Sequence, residues 1–161
     1  MTGTLLLIFI IPDVIRLTSE KVQRFFHKKV TFKIYKDEEK GKISSISLFL
    51  LGVFVTFLLF EKRIAFLSTV FLAFGDLAAK VVGMSFGKKK LFEKTIEGSL
   101  AHFAVCFYSA YLVSCLDLLD LPIGVAGAMA ATITELLPLG VNDNLSVPFF
   151  SALVMSLWKL L

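Results

Sequence analysis

The sequence has few of the residues that build disulfide frameworks or zinc-type metal sites, with two cysteines and two histidines. Cys106 and Cys115 lie nine residues apart on one predicted helix, a separation of about 13 Å that a disulfide does not span. His27 and His102 have no partner at a metal-ligand spacing. No stretch resembles a nucleic-acid-binding fold, so nucleic acid is not expected as a partner.

Charged residues are also scarce, at 19%, whereas 57% of the residues are hydrophobic and the mean hydropathy is +0.81. Soluble domains average roughly 45 to 50% apolar residues. Because a spanning helix needs about 20 mainly apolar residues, the predicted fold class is all-α, a polytopic transmembrane bundle forming one domain over residues 1–161. About six membrane helices are expected, at residues 3–15, 43–60, 64–86, 96–116, 121–139 and 145–160.

The basic residues are concentrated in two loops. Nine of the 17 Lys and Arg residues fall between Arg16 and Lys42, and four more between Lys88 and Lys94. The positive-inside rule places both loops on the cytoplasmic side. Counting the predicted helices between loops puts the loop at 140–145 on the same side. Residues 13–42 are therefore predicted to form a cytoplasmic basic loop that contacts anionic headgroups of the lipid bilayer. The motifs lie beyond it, in residues 64–161.

Two carboxylates, Asp76 and Glu135, fall inside predicted spans. An ionisable group there costs about 2.5 to 3.5 kcal/mol on insertion scales, so a functional role is the default hypothesis. Lys80 follows Asp76 by one helical turn and lies on the same helix face. The alternative is structural: Asp76 pairs with Lys80, and Glu135 bonds to Thr132 or to a neighbouring backbone group, so that both only hold helices together.

Polar residues from three distant segments are predicted to converge at the cytoplasmic face. They are Gly83, Gly87-Lys88, Lys94-Thr95, Glu97-Gly98 and Asn142-Asp143-Asn144. Phosphoryl transfer needs cations, carboxylates that hold magnesium, and positioning. Asp76 and Asp143 are expected to share magnesium, and Glu97 or Glu135 to orient or deprotonate a hydroxyl.

The glycines allow close backbone approach to phosphates, the lysines supply positive charge, and the start of the helix after Thr95 adds partial positive charge. The stretch from Gly83 to Lys88 is nevertheless not a Walker loop. Three residues separate its glycines where the motif needs four, no Ser or Thr follows the lysine, and the stretch leaves a helix.

Three ordered blocks, spread over nearly the whole chain, resemble the family of CTP-dependent lipid-alcohol kinases. This family comprises dolichol kinase, phytol kinase and the CTP-dependent diacylglycerol kinase, and it is related to phosphatidate cytidylyltransferases. The first block is Gly75-Asp76, Ala79, Gly83 and Gly87-Lys88. The second is Lys94-Thr95 with Glu97-Gly98-Ser99, and the third is Glu135, Pro138, Asp143-Asn144 and Pro148.

The resemblance implies transfer of the γ-phosphoryl group of CTP, with magnesium as cofactor, to a membrane lipid alcohol such as a polyprenol, phytol or diacylglycerol. The family's nucleotide and metal residues would fall on Asp76, Lys88, Lys94, Glu97, Asp143 and Asn144. Together with the chemistry above, this gives Asp76, Glu97, Glu135 and Asp143 as catalytic candidates. Asp76 and Asp143 are the metal candidates, and the nucleotide-binding candidates are Gly83, Gly87, Lys88, Lys94, Thr95, Gly98 and Asn144.

Two other functions stay open. One is a cytidylyltransferase that makes a CDP-lipid, although that family's long carboxy-terminal signature is absent and Asn142-Asp143-Asn144 stands instead. The other is a non-catalytic membrane subunit or ion-coupled transporter with Asp76, Lys80 and Glu135 as a buried relay. The expected location is a cell membrane or one of the endoplasmic reticulum type, with the site on the cytoplasmic side. Stripes of small residues also suit packing between chains, so an oligomer is open.

Overall fold

The computed structural model describes residues 44–161, and this part of the chain is mainly helical. Its five helices are α1 (Ser45–Leu59), α2 (Lys62–Phe86), α3 (Ile96–Cys115), α4 (Leu121–Leu136) and α5 (Asp143–Lys159). A short antiparallel hairpin separates α2 from α3. Its strands are β1 (Lys90–Leu91) and β2 (Lys94–Thr95), with Lys90 opposite Thr95 and Leu91 opposite Lys94.

The helical fold class is confirmed, but a count of six spans is not supported. Each predicted span from 43–60 onward corresponds to one helix, yet only α2 and α3 of the described residues are long and apolar enough to cross a membrane. They have 25 and 20 residues and hydropathies of 1.7 and 1.3. The predicted span at 3–15 and the basic loop at 13–42 lie outside the described residues.

The correction has a physical cause in helix length. The helices α1 and α4 have 15 and 16 residues, about 22 to 24 Å at 1.5 Å per residue, which is less than the roughly 30 Å of a bilayer core. The end of α4 follows from Pro138, because a proline disfavours helical backbone at the residue before it. Leu137 accordingly has an extended ψ of 135°.

The helices pack as a chain of neighbours. The helix α4 lies against both α3 and α5, α2 packs along α3, and α1 packs on α5. The core between them consists of apolar side chains that are almost fully buried, among them Leu67, Phe71, Cys106, Ala128 and Met155. This packing brings the carboxyl end of α2 and the first turns of α3 and α5 to the same end of the molecule as the carboxyl end of α4.

The helix α2 contains a π-helical turn, Phe71–Gly75, immediately before Asp76. Single π turns inside α-helices often occur at functional sites. Here the turn brings Gly75 against α3: a Cβ at Gly75 would lie 2.7 Å from Nε2 of His102 and 2.9 Å from Sγ of Cys106. His102 is fully buried, and its Nε2 has no hydrogen-bond partner within residues 44–161. The crossing of α2 and α3 therefore depends on the missing side chain at residue 75.

We predict that Gly75→Ala lowers the free energy of unfolding by about 1 to 3 kcal/mol through overpacking, more than the gain of about 1 kcal/mol in helix propensity. The measurement is the thermal midpoint of the purified protein in detergent. Ala73→Ser is the matched control, since it adds one heavy atom at an exposed position of the same turn. An unchanged midpoint for Gly75→Ala would contradict the close crossing.

Candidate functional site

A partly buried ion cluster joins the hairpin to α4 and α5. The ammonium Nζ of Lys94 donates to Oε1 of Glu135 and to Oδ2 of Asp143, both at 2.8 Å. The side chain of Glu135 is 2% exposed, whereas those of Lys94 and Asp143 are 31% and 35% exposed. These three residues are here called the Lys94 cluster. Glu135 and Asp143 lie 41 and 49 residues after Lys94 in the sequence.

The local folding of each segment explains the convergence. Phe92 adopts a positive φ of 58° in the turn between the strands, a conformation that is rare for a bulky residue. Lys94, two residues later, begins β2. Asn142 caps α5 by accepting a hydrogen bond from the N–H of Asn144, which makes Asp143 the first helical residue. Glu135 lies in the last turn of α4.

The electrostatics of the cluster favour a charged lysine. Burial lowers the pKa of Lys94, but its hydrogen bonds to Asp143 and Glu135 and their negative charges act in the opposite direction. The net effect raises the pKa above its ordinary value. Glu135 in turn needs this cation, because a glutamate is almost never fully buried unless it is paired.

Two clefts meet at the Lys94 cluster. The first, called the helix cleft, lies between α2 and α3, has a volume of about 320 Å³, and is lined by residues that include Ala79, Lys80, Gly83, Thr95, Gly98 and Ser99. The second, called the loop cleft, lies along the connection from α4 to α5, has a volume of about 350 Å³, and includes Pro138, Gly140, Asn142 and Asp143. Lys94, Glu135 and Glu93 line both clefts.

Ser99 is a site residue that the sequence analysis did not single out for a role. Its hydroxyl lies 3.5 Å from Oε2 of Glu135, the carboxylate oxygen that Lys94 does not bind. Thr95 and Ser99 are four residues apart at the start of α3, which puts them on one helix face. That spacing is the signal in the sequence that could have identified Ser99 as a site residue. The distance to Glu135 was not readable, because it depends on how α3 packs on α4.

Glu97 and Lys88 belong to the loop that follows α2. Oε2 of Glu97 accepts hydrogen bonds from the backbone N–H groups of Lys88 (3.1 Å) and Lys89 (3.3 Å). The N–H of Ile96 donates to the carbonyl of Lys89 at 3.0 Å. Glu97 therefore holds the loop of Lys88, Lys89 and Lys90, here called the lysine loop, against the start of α3. Glu97 is not among the residues that line the two clefts. A catalytic role for Glu97 stays a prediction.

The predicted nucleotide-binding glycines lie where α2 meets the first turn of α3. A Cβ at Gly98 would come within 2.9 Å of both the Ala79 carbonyl oxygen and the Thr95 hydroxyl. Thr95 caps α3 by accepting from the N–H of Gly98 at 3.1 Å. Gly87 ends α2, where its N–H donates to the carbonyl of Gly83. Gly83, Thr95 and Gly98 thus shape one wall of the helix cleft, which Gly87 does not line. Phosphate binding by these residues stays a prediction.

The structural alternative for Asp76 and Glu135, the two carboxylates inside predicted spans, is half right. Asp76 forms the expected ion pair with Lys80, and within residues 44–161 it has no ion pair or hydrogen bond to the Lys94 cluster. The expected bond from Glu135 to Thr132 is wrong, because Lys94 reaches Glu135 from the hairpin. The Thr132 hydroxyl instead donates to the carbonyl of Ala128 and lies 3.0 Å from Nδ1 of His102.

The remaining candidate, Asn144, connects α5 to α1. Its Nδ2 donates to the carbonyl of Ser45 at 3.0 Å. A contact with a nucleotide at Asn144 is not tested by this geometry and stays a prediction.

The donor set suits magnesium better than a cation held by protein ligands alone. Within residues 44–161 there is no group of three or more His, Cys, Asp or Glu residues placed to hold a metal. Magnesium, however, usually takes one or two carboxylates and completes its shell with phosphate and water oxygens. Asp143 is partly exposed in the loop cleft and binds Lys94 through Oδ2, so its Oδ1 faces no cation among the described residues. Asp143 therefore fits such an ion.

We predict that Lys94→Met destabilises the fold, because it leaves Glu135 buried without its cation. Breaking a buried pair costs about 3 to 5 kcal/mol, and the lower end is expected since Lys94 is itself 31% exposed. The double variant Lys94→Met with Glu135→Met should recover much of the loss, because apolar replacements remove both charges. Thermal unfolding of the two variants measures this, and a double variant less stable than Lys94→Met would contradict the pairing.

Residues 44–161 thus form a helical bundle with a partly buried Lys–Glu–Asp cluster at the point where two clefts meet. The chain is 32% identical to the uncharacterized protein RP860 of Rickettsia prowazekii, over 89% of this chain and 76% of that protein. It belongs to the same family as RP860. No family model matches the chain, and no solved structure matches it.

A second similarity is more distant. The chain is 26% identical to the CTP-dependent diacylglycerol kinase 1 of Schizosaccharomyces pombe, over 90% of this chain and 73% of the yeast protein. This finding supports the resemblance to the CTP-dependent lipid-alcohol kinases at the level of the family.

Proposed function

We propose that the protein is an integral membrane kinase that transfers the γ-phosphoryl group of CTP to the hydroxyl of a lipid alcohol. The Lys94 cluster is the observation that carries this proposal, since it joins the second and third sequence blocks in one buried site between two clefts. The distant similarity to a CTP-dependent diacylglycerol kinase supports the same reaction class. In this proposal α2 and α3 cross the membrane, and the site faces the cytoplasm.

The helix cleft suits the triphosphate. Lys80 and Lys94 supply two cations along it, and the first turn of α3 presents backbone N–H groups with partial positive charge. Phosphoryl transfer mainly needs positioning and cations that neutralise the negative charge of the transferred group. The lysine loop, fixed by Glu97, adds Lys88 at the edge of this region.

Glu135 is the proposed general base. Its Oε1 is occupied by Lys94, whereas Oε2 faces the Ser99 hydroxyl, so a hydroxyl at that place donates to a carboxylate. In the transfer, the acceptor oxygen forms a bond to the γ-phosphorus, the bond from that phosphorus to the β–γ bridging oxygen breaks, and CDP leaves. The acceptor proton passes to Glu135. Magnesium held by Asp143 would supply further positive charge to the triphosphate. Asp76, the other metal candidate, is ion-paired with Lys80 and lines neither cleft.

The direct test uses CTP labelled either in the γ-phosphate or in the base, with membranes containing the protein and a panel of lipid alcohols that includes diacylglycerol, a polyprenol and phytol. We expect label from the γ-phosphate, and none from the base, in the lipid product. Incorporation of the base label would instead indicate a cytidylyltransferase. Absence of both labels from every alcohol would reject the proposal.

We predict that Glu135→Gln and Asp143→Asn each lower kcat by about 10²- to 10⁴-fold, the usual contribution of a general base or a charged group in the site. Glu61→Gln is the matched control, because Glu61 is also ion-paired, with Lys159. This pair joins the start of α2 to the end of α5 and lies outside the candidate site. Initial rates are compared at equal amounts of folded protein. Full kinase activity of Asp143→Asn would reject the role of Asp143 in phosphoryl transfer. A buried ion relay predicts instead no phosphate transfer by any variant, and an ion coupling that Asp143→Asn leaves unchanged.

A further inference from the structure

An apolar groove lies between α3 and α4, next to the helix cleft. It has a volume of about 400 Å³, and the side chains that form most of its wall are Leu100, Phe103, Met129, Ile133 and Leu136. Several of these are well exposed, with Leu100 at 63% and Ile133 at 53%. The groove has the size of an ordinary ligand site, and no charged side chain of residues 44–161 lines it.

Ser99 joins the groove to the helix cleft, because it lines both. Thr132 is the other hydroxyl residue of the groove, but its oxygen is bonded to the Ala128 carbonyl and contacts His102. The polar end of the groove is therefore Ser99, with Oε2 of Glu135 at 3.5 Å. The groove is apolar along its length and ends at the Ser99 hydroxyl, beyond which the carboxylate of Glu135 lines the two clefts. Such a site suits a molecule with a hydrocarbon chain and a single hydroxyl head.

We propose that this groove binds the hydrocarbon chain of the acceptor alcohol and that Ser99 marks the place where the acceptor hydroxyl meets Glu135. This inference rests on the proposed kinase function. The acceptor then enters from the bilayer between α3 and α4, while the nucleotide enters the clefts from the aqueous side. A nucleotide does not suit the groove, because the groove offers no cation to a phosphate.

The groove selects by shape and by placing the hydroxyl rather than by hydrophobic affinity. Lipid tails in the bilayer are as apolar as the leucines of the groove, so transfer between them gains little free energy. A bulky side chain in the groove should therefore act by excluding the chain, and a short acceptor should escape the effect.

The kinetic test compares Met129→Trp with Leu157→Trp, a substitution of another exposed apolar residue, on α5 and outside the groove. The acceptors are long-chain diacylglycerol and dihexanoylglycerol. We expect Met129→Trp to raise KM for the long-chain acceptor at least about tenfold, with a smaller effect on the short one and no change in KM for CTP. Ile133→Trp is the second groove variant if Met129→Trp does not fold. Equal losses on both acceptors, or the same loss from Leu157→Trp, would overturn the groove.

A binding test does not depend on turnover. Vesicles of phosphatidylcholine containing the protein are irradiated with a diacylglycerol or a polyprenol that carries a diazirine in its hydrocarbon chain, and the labelled residues are mapped by mass spectrometry. We expect labelling of Met129 or Ile133 that an excess of the same unlabelled alcohol suppresses and that extra phosphatidylcholine does not. Labelling by neither probe, or labelling without competition, overturns the proposal.

The two tests separate the groove from the reaction. Competed labelling without phosphate transfer to any alcohol would reject the kinase and leave a lipid-alcohol site. Phosphate transfer with an unchanged KM in both groove variants would reject the groove and leave the kinase.

Discussion

The ammonium of Lys94, held between Glu135 and Asp143, is the interaction on which the site depends. Glu135 is 2% exposed, and a carboxylate at such a position is strongly destabilising unless a cation accompanies it. The cation comes from a hairpin of two-residue strands, which has no core of its own. The ion pair therefore fixes the hairpin against α4 and α5 at the same time as it neutralises the buried acid, and both clefts take their common wall from it.

The rest of this end of the molecule supports the position of Lys94. Thr95 caps α3 directly after the lysine, and Glu97, two residues further on, binds the backbone of the lysine loop. Gly98 lets the carbonyl of Ala79 approach the first turn of α3. Because hairpin, cap and helix crossing lie within a few residues of each other, a shift at any of them would move the ammonium away from the two acids.

Hydropathy predicted the helices well because each is an apolar run that ends at a clear polar or proline boundary. The predicted segment 64–86 differs from the observed helix Lys62–Phe86 by two residues at its start. The segment predicted at 121–139 was too long, although Pro138 signals the earlier end. Helix length, rather than helix existence, is what the count of six spans overestimated.

The site was partly readable in the same way. Successive helices run in opposite directions, so the sequence predicts that Lys94, Glu135 and Asp143 lie at the same end of the helical bundle. The structure has them there. Their pairing was not readable, because it depends on how far the hairpin reaches over α4. The structural alternative gave Glu135 a bond to Thr132 or to a neighbouring backbone group, which are partners near it in sequence. The π turn before Asp76 left no trace in the sequence, since residues 71–75 continue the apolar pattern of the helix around them.

The burial of Glu135 also bears on how the proposed enzyme would favour an alcohol over water. Water is the competing acceptor in any phosphoryl transfer, and it is present on the aqueous side of both clefts. The free oxygen of Glu135 points toward Ser99, which is 8% exposed, and the space beyond Ser99 is lined by apolar side chains. Glu135 lines the two clefts, but its side chain is only 2% exposed and its Oε2 lies against Ser99, whose other side is the apolar groove. Few water molecules reach that oxygen, because an apolar lining offers them no hydrogen-bond partners. The hydroxyl of a lipid alcohol reaches the same oxygen while its hydrocarbon chain, which needs no hydrogen bonds, lies in the groove. The groove and the ion pair together therefore favour lipid phosphorylation over hydrolysis of CTP.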